Sequence, residues 1–297
     1  MALVLAIAPG SARPAAQPRL VAPALWVVRD ADTVVHLFGT VHALPRGVGW
    51  FRPPLVAALD AADELVLEAL VPSDPTALMG LTLRMARSPT PRPLAQRVPP
   101  ERAGELADAV RRLGAGDLDA FDTWYVALTL SNLAALAAGF DPATGAEAVL
   151  AARAALRSIP TTGLETPEEQ LGYFKALPEA EQRAFLVATL EELPNARADL
   201  ETLLADWLAG RTEALERRIN KALEASPMLR QMLLFDRNVR WADWIARRMA
   251  RPGRVFLAVG AGHLVGPGSL LAELERRGLR PERAAEPAPG PRRRRSF

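Results

Sequence analysis

The same short pattern occurs near both ends of the chain: an apolar run stops at a glycine, and a histidine follows three residues later. The first copy is Val34–Phe38 followed by Gly39–His42, and the second is Val255–Val259 followed by Gly260–His263. Short apolar runs that are rich in valine and phenylalanine and end at glycine are typical of buried strands. The long segment between the copies has mainly helical patterns. The two ends of the chain must therefore meet in one sheet, with a helical insertion between them.

The remaining patterns predict further strands and helices. Leu25–Arg29 and Thr33–Phe38 flank Asp30-Ala31-Asp32, which predicts a β-hairpin. Two more strands are predicted at Glu64–Glu68 and Ser158–Leu164, the second at an edge of the sheet because it contains Pro160. The predicted helices, or helical stretches, are Pro53–Ala62, Leu118–Ala138, Gly145–Arg157, Pro167–Met249 and Pro267–Arg277. The predicted fold class is α/β, with a small mixed sheet formed from the N- and C-terminal segments and a large helical insertion.

Composition excludes several classes of function. Of the 297 residues, 49% are hydrophobic and 24% are charged, as in folded globular proteins. The net charge of +2 includes the run Arg292–Arg295, so the rest of the chain is close to neutral and has no nucleic-acid footprint. There is no cysteine, which excludes thiol catalysis and thiolate ligands. Histidine, aspartate and glutamate are left as the side chains that could bind a metal ion.

The two ends of the sequence differ from its middle. Ala2–Ala8 is apolar and is followed by Gly10-Ser11-Ala12, which resembles the core and cleavage site of a secretory signal peptide. It has no basic n-region, so the start of such a signal would lie upstream of Met1. We expect residues 1–23 to be a signal peptide and linker, 24–283 to form one domain, and 284–297 to be a disordered basic tail. The predicted location is the periplasm or cell envelope, and no segment is predicted to span a membrane.

Two glutamates end predicted strands and could complete a site with the histidines. Glu68 ends the strand after the first histidine, and Glu165 follows the predicted strand Ser158–Leu164. If these strands are parallel neighbours, both carboxylates open on the crevice at the carboxyl end of the sheet. Two imidazoles and a carboxylate can bind a metal ion, and a second carboxylate can act as a general base. The alternative is that they are ordinary loop histidines and solvated strand ends.

A third group of candidates lies late in a helix. The Arg237 guanidinium could stabilise an oxyanion or bind a carboxylate, and the alternative is a surface arginine beside the core residue Trp241. Asn238 and Thr40 are predicted to contact substrate. His36 alternates with apolar neighbours inside its strand and is predicted to be structural.

Five motifs occur along the chain in a fixed order: Leu37–His42 with Leu44-Pro45, Ala62–Glu68, Gly163–Thr166 with Glu169-Gln170, Arg237-Asn238 with Trp241, and Val259–Leu264. Together they resemble the TraB/GumN family, which includes the Tiki proteins. The resemblance extends from about residue 24 to residue 283. Relatives often have Gly-Val-Asp where this chain has Gly145-Ala146-Glu147, which keeps the acidic residue.

The resemblance implies an α/β fold with paired histidine motifs around a metal ion. Tiki proteins are described as metal-dependent proteases that use manganese or cobalt. On this reading His42, Glu68 and His263 bind the metal. Glu165 is a base or a further ligand, and Arg237 contacts the oxyanion or the substrate.

Two functions from different classes follow as hypotheses. The first is a metal-dependent hydrolase, most simply a peptidase, that uses a divalent ion such as Mn²⁺ or Co²⁺. The second is a non-catalytic envelope protein that binds or sequesters a peptide or small ligand in the same crevice. The partner is a peptide or small molecule on either reading, and the sequence does not determine the oligomeric state.

Overall fold

The computed structural model of the chain describes residues 22–70, 74–222 and 226–284. In this part of the chain, six strands form one mixed sheet in the order β4-β3-β5-β2-β1-β6. The strands are β1 (Leu25–Arg29), β2 (Thr33–Thr40), β3 (Glu64–Ala69), β4 (Thr161–Glu165), β5 (Gly253–Gly260) and β6 (Glu282–Arg283).

The sheet joins the two ends of the chain through β5. This strand pairs in parallel with β2 on one side and with β3 on the other, and β4 pairs in parallel with β3. β1 is antiparallel to β2, and β6 is antiparallel to β1. The α/β class, the mixed sheet made from both termini, the hairpin and the edge position of β4 are confirmed.

Helices cover both faces of the sheet and fill the long insertion. A π-helical segment, Gln231–Phe235, lies between the last two helices of the insertion. The α-helices are α1 (Pro53–Asp60), α2 (Pro75–Ala86), α3 (Ala103–Leu113), α4 (Thr123–Ala137), α5 (Ala146–Leu156), α6 (Pro167–Lys175), α7 (Glu179–Glu192), α8 (Ala196–Leu208), α9 (Thr212–Ala222), α10 (Pro227–Arg230), α11 (Asp236–Met249) and α12 (Leu270–Arg276).

Alternate residues of β5 build the two cores of the sheet. Phe256 and Ala258 pack in one cluster with residues of α1, α5 and α8. Val255, Leu257 and Val259 pack in the other cluster with residues of α11 and α12. A separate cluster holds α3, α4 and α7 together within the insertion. Because both faces of β5 are covered, its sequence is a continuous apolar run without alternation.

Two helices begin later than the sequence predicts. α4 starts at Thr123 and not at Leu118, because Asp122 donates its N–H to the Ala86 carbonyl and holds the preceding segment against the end of α2. α12 starts at Leu270 and not at Pro267, because Gly266 and Gly268 have positive φ angles of 80° and 82°. In both places tertiary contacts or backbone conformation override helical periodicity.

The terminal predictions fall almost entirely outside the described residues. Residues 1–21 of the predicted signal peptide and linker (1–23) and residues 285–297 of the predicted basic tail (284–297) lie outside the described residues. Ala284, the first residue of the predicted tail, donates its N–H to the Leu25 carbonyl at 2.8 Å and so lies on the edge of the sheet. Among the described residues, no helix has both the length and the apolar character needed to cross a membrane.

Candidate functional site

The parallel strands bring their carboxyl ends to one edge of the sheet. Thr40 of β2 pairs with Gly260 of β5, and Ala69 of β3 pairs with Glu165 of β4. Glu68 and Glu165 are both buried there, each with 8% of its surface exposed. The condition set by the sequence, that β3 and β4 are parallel neighbours, is confirmed. Their carboxylates share this edge with the two histidine motifs.

The Glu68 carboxylate has a partner for each oxygen. Its Oε1 accepts from the Gly260 backbone N–H at 2.6 Å, and its Oε2 accepts from Arg237 Nη2 at 2.6 Å and from Gln170 Nε2 at 3.2 Å. Burial opposes ionisation of this carboxyl, but the charges of protonated His263, of Arg237 and of His42, together with the Gly260 N–H, lower the pKa of Glu68 to about 2. Glu68 is therefore a carboxylate throughout the physiological pH range.

Gly260 allows His42 and Glu68 to approach each other. A Cβ atom at Gly260 would lie 3.1 Å from Glu68 Oε1 and 3.4 Å from His42 Nε2. Both atoms thus lie beside the same backbone position at the end of β5. Any side chain at Gly260 would crowd this space, which explains a glycine at the point where the last buried strand ends.

His42 is held by a carboxylate from the helical insertion. Its Nδ1 lies 2.7 Å from Glu147 Oε1, which also accepts from the Thr40 hydroxyl at 2.5 Å. The imidazole therefore carries a proton on Nδ1 and directs Nε2 toward Glu68 and Gly260. Desolvation acts against the charged ring, but Glu147 and, less strongly, Glu68 hold the pKa of His42 above its ordinary value. Water screens part of this attraction, since 70% of the His42 side chain is exposed.

His263 has the same arrangement with an amide as its partner. Asn238 donates through Nδ2 to the Gly268 carbonyl at 2.8 Å, so its Oδ1 faces His263 Nδ1, 2.7 Å away, as an acceptor. His263 Nδ1 must then carry the proton, and Nε2 presents a lone pair to Arg237 Nη1 at 3.2 Å. Burial, assisted by the Arg237 charge, lowers the pKa of His263 to about 3. The buried imidazole is therefore neutral.

All three nitrogens of the Arg237 guanidinium have partners inside the site. Nε donates to both oxygens of Glu165, Nη2 donates to Glu68 and pairs with Glu165, and Nη1 donates to the Leu233 carbonyl and to His263. Its guanidinium carbon lies 4.5 Å from the centroid of Trp241, which also packs on His263. Arg237 thus links both carboxylates to one histidine. It lies in the first turn of α11 and not late in a helix, because the π-helical segment precedes it.

Glu165 is surrounded by donors. Besides Arg237, its oxygens accept from the Tyr173 hydroxyl at 3.0 Å and from Gln170 Nε2 at 3.3 Å. Arg240 Nη2 lies 3.5 Å from Glu165 Oε1 and donates to the Tyr173 oxygen at 2.7 Å. A capping box made by Thr166 and Glu169 begins α6 just after Glu165 and so positions Gln170 and Tyr173.

The structure brings together all seven residues that the sequence singled out for the site, while the roles assigned to them stay predictions. Thr40 and Asn238, predicted to contact substrate, are buried and use their polar groups on Glu147 and His263. His36 lies within β2, outside this group. No three histidine, aspartate or glutamate side chains are grouped as a ready-formed metal site within residues 22–70, 74–222 and 226–284.

Sequence reasoning missed four members of the site: Glu147, Gln170, Tyr173 and Arg240. Glu147 had a signal, since it occupies the acidic position of the Gly145-Ala146-Glu147 motif. Gln170 also lies in a recognised motif. Neither motif shows which side chain the residue contacts, because its partner is about a hundred positions away in the sequence.

Comparison with known proteins places these features in a family. The model of the TraB/PrgY/gumN family matches residues 24–283. The chain is similar to Uncharacterized protein YbaP of Escherichia coli (strain K12) and to Uncharacterized protein YbaP of Shigella flexneri. Each is 26% identical to this chain over 251 residues, which covers 84% of this chain and 90% of the relative. No solved structure matches the chain. Because the family model spans the whole sheet and the insertion, the chain belongs to the TraB/PrgY/gumN family.

Proposed function

We propose that this protein is a metal-dependent hydrolase that cleaves peptide bonds at the carboxyl edge of its sheet. One observation carries the proposal: both motif histidines have Nδ1 fixed by another side chain, so that each Nε2 faces the region of Glu68 and Gly260. Metal-binding histidines almost always use their second ring nitrogen in this way. The choice of a peptide as substrate rests on the resemblance to the Tiki proteins.

The donor atoms suit a divalent ion. Glu68 Oε1 and His263 Nε2 are 3.6 Å apart. Two ligands of one ion can be this far apart, since metal–nitrogen and metal–oxygen bonds are about 2.0–2.2 Å. His42 Nε2 is the third donor, and it lies beside the same Gly260 Cβ position as Glu68 Oε1. Nitrogen and carboxylate donors without thiolate are compatible with Mn²⁺ or Co²⁺.

The ion would polarise the substrate carbonyl and lower the pKa of a bound water, which is the chemistry that hydrolysis needs. The protein side chains would provide the rest. Glu147 and Asn238 hold Nδ1 of His42 and His263, so that Nε2 is the nitrogen left for the ion, and His42 would release its Nε2 proton when an ion binds. Arg237 holds Glu68 and Glu165 in place and partly neutralises them.

The contacts suggest adjusted roles for two of the catalytic candidates. Glu165 accepts hydrogen bonds from Arg237, Tyr173 and Gln170, so its oxygens are poorly placed to take a proton from water. We therefore assign Glu165 the role of positioning Arg237 and not that of a base. Each nitrogen of Arg237 already has a partner in this arrangement. If an ion bound to His263 Nε2, the Arg237 N–H that now points at this nitrogen would become free to donate to a substrate oxygen.

One observation favours the second function, a non-catalytic binding protein. The guanidinium of Arg237 donates to His263 Nε2 and neutralises the charge of Glu68. A cation of the protein itself therefore already takes the place that a metal ion would have. In that case the exposed His42 and Arg240 would bind a peptide or small ligand without turnover.

Calorimetric titration with Mn²⁺ and Co²⁺ tests the proposal. We expect the wild-type chain to bind an ion, and His42→Ala and His263→Ala each to weaken binding by at least tenfold. His36→Ala is the matched control, since His36 is the third histidine of the chain and lies outside the site. Absence of binding in the wild type, or unchanged binding in both site variants, would show that the metal proposal is wrong.

A second measurement separates the two functions. A peptide library is incubated with the protein and each ion, and products are identified by mass spectrometry. The hydrolase proposal requires cleavage that is lost in Glu68→Gln. An intact library, together with thermal protection of the protein by a peptide, would instead support the binding function.

A further inference from the structure

A cavity of about 330 Å³ lies among four helices of the insertion, away from the charged residues of the site. Its walls come from α4, α7, α8 and α9. A volume of this size is within the range of ligand pockets, about 300–1,000 Å³. The apolar residues of the lining are Ala134, Ala135, Leu193, Ala196, Leu200, Leu203 and Ile219.

Two polar side chains of the cavity wall, Thr189 and Arg218, already have partners within the protein. The Thr189 hydroxyl donates to the Phe185 carbonyl at 2.9 Å. Arg218 donates through Nε to Asp206 at 2.8 Å. Glu192 and Asp199 also line the cavity. Because most of the lining is apolar and Thr189 and Arg218 are paired within the protein, the cavity suits an uncharged apolar group.

The inner wall of the cavity backs onto the turn that carries His263. A Cβ atom at Gly262 would lie 3.3 Å from Ile219 Cδ1, so Ile219 touches this turn directly. Ile219 and Leu203 also pack against the same core cluster as Val41 and Ala261, the neighbours of His42 and Gly260. Ile219 thus lines the cavity and also lies against the turn that carries His263.

We infer that this cavity binds a large apolar side chain of a polypeptide whose backbone passes the histidine site. The inference rests on the proposed peptidase function, because it gives that function a preference for apolar residues near the cleaved bond. Burial of one leucine or phenylalanine side chain in such a cavity would strengthen binding by about tenfold or more.

Binding to the cavity can be measured without metal or turnover. The probe is N-phenyl-1-naphthylamine, a neutral apolar fluorophore, titrated into the full chain. Ala135→Trp places an indole in the cavity, and Leu136→Trp is the matched control on the exposed face of the same helix. Ser131→Leu, a smaller change in the cavity wall, covers the case in which Ala135→Trp does not fold.

We expect saturable probe binding in the wild type that falls at least tenfold in Ala135→Trp or, if that variant does not fold, severalfold in Ser131→Leu. Leu136→Trp should bind like the wild type. Acetyl-Ala-Phe-Ala-amide should displace the probe at about a tenth of the concentration that acetyl-Ala-Ala-Ala-amide requires. No saturable binding in the wild type, equal binding in the folded cavity variants, or equal displacement by the two peptides would overturn the inference.

His263→Ala separates this inference from the proposed function. The variant should lose metal binding and keep the binding of the probe. A wild type that binds no metal and cleaves no peptide, but shows the expected displacement by the phenylalanine peptide, would contradict the hydrolase proposal alone.

Discussion

The two histidines come from the same sequence pattern, yet their partners make them chemically different. Glu147, a carboxylate, faces Nδ1 of the exposed His42 and favours its charged form. Asn238, an amide, faces Nδ1 of the buried His263, and the ring stays neutral. A carboxylate partner makes the opposite ring nitrogen a stronger donor to a metal ion than an amide partner does. The repeated pattern therefore supplies two different metal-binding nitrogens. That of the exposed His42 is the stronger donor to a metal ion, and that of the buried His263 is the weaker one.

Glu147→Gln should weaken Mn²⁺ binding by about 10–100-fold. The amide keeps the shape of the side chain but removes the charge that orients and polarises His42. Calorimetry gives the affinity, and ¹⁵N spectra of the imidazoles report the tautomer directly, since the chain has three histidines. Glu201→Gln, at an exposed position of α8, serves as the control. An affinity equal to that of the wild type would remove Glu147 from the site.

Arg237→Leu should lower the free energy of unfolding by about 3–5 kcal/mol, because it leaves Glu68 and Glu165 buried without their cation. Arg240→Leu is the comparison, one turn further along α11. Half of the Arg240 side chain is exposed, so we expect a loss of at most about 1 kcal/mol. Urea unfolding measures both. Equal losses would mean that the buried network is not held together by Arg237.

Sequence patterns predicted the chemistry-bearing residues better than their contacts. Glu68 and Glu165 lie at the ends of strands, and His42 and His263 follow strands within three residues. Strand ends can be recognised from local apolar runs. The partners of these residues lie on helices of the insertion, and their contacts depend on how those helices dock. Thr40 and Asn238 show the limit: a polar residue beside a motif histidine can face the ligand or the histidine's partner, and only the fold decides.

Among the elements, α5 is the one that fixes the loop carrying His42. Its first residue, Ala146, donates its N–H to the Val41 carbonyl at 3.0 Å. Just before α5, the Thr144 hydroxyl donates to the Leu44 carbonyl at 2.6 Å. The start of α5 and the loop after β2 therefore form one unit, and the helix brings Glu147 to His42 from its first turn. The sequence predicted α5 from its alanine content, which indicates a helix but not where it docks.

Gly145→Ala should push the start of α5 away from the loop that carries His42. A Cβ atom at position 145 would lie 2.0 Å from the carbonyl oxygen of His42, a backbone contact that a side-chain rotation cannot relieve. We expect a loss of about 1–3 kcal/mol in the free energy of unfolding and a marked loss of Mn²⁺ affinity. Gly104→Ala in α3 is the control, because no atom lies near its Cβ position and alanine favours a helix. Retained metal affinity in Gly145→Ala would show that the loop adapts.

At the scale of the whole molecule, β5 holds the sheet together although it comes near the end of the chain. The hairpin β1–β2 and the pair β3–β4 are each hydrogen-bonded to β5 and not to one another. The sequence predicted this meeting of the ends, because two apolar strands separated by a long helical stretch can be buried only together. It did not predict the strand order, which is set by helix packing on both faces. β6 was also missed, since two charged residues carry no strand pattern.

A chain that ends at Met249 should therefore fail to fold cooperatively. It lacks β5, so Val35 and Leu37 on one side and Leu65 and Val66 on the other lose their strand partner and part of their apolar cover. Urea unfolding followed by tryptophan fluorescence and circular dichroism should show helical signal without a sharp transition, because α3, α4 and α7 keep a cluster of their own. A chain that ends at Ala284 keeps every described strand and should unfold in one transition. A sharp transition in the shorter chain would mean that the insertion folds on its own. The sheet would then not be the element that makes the described structure unfold as one cooperative unit.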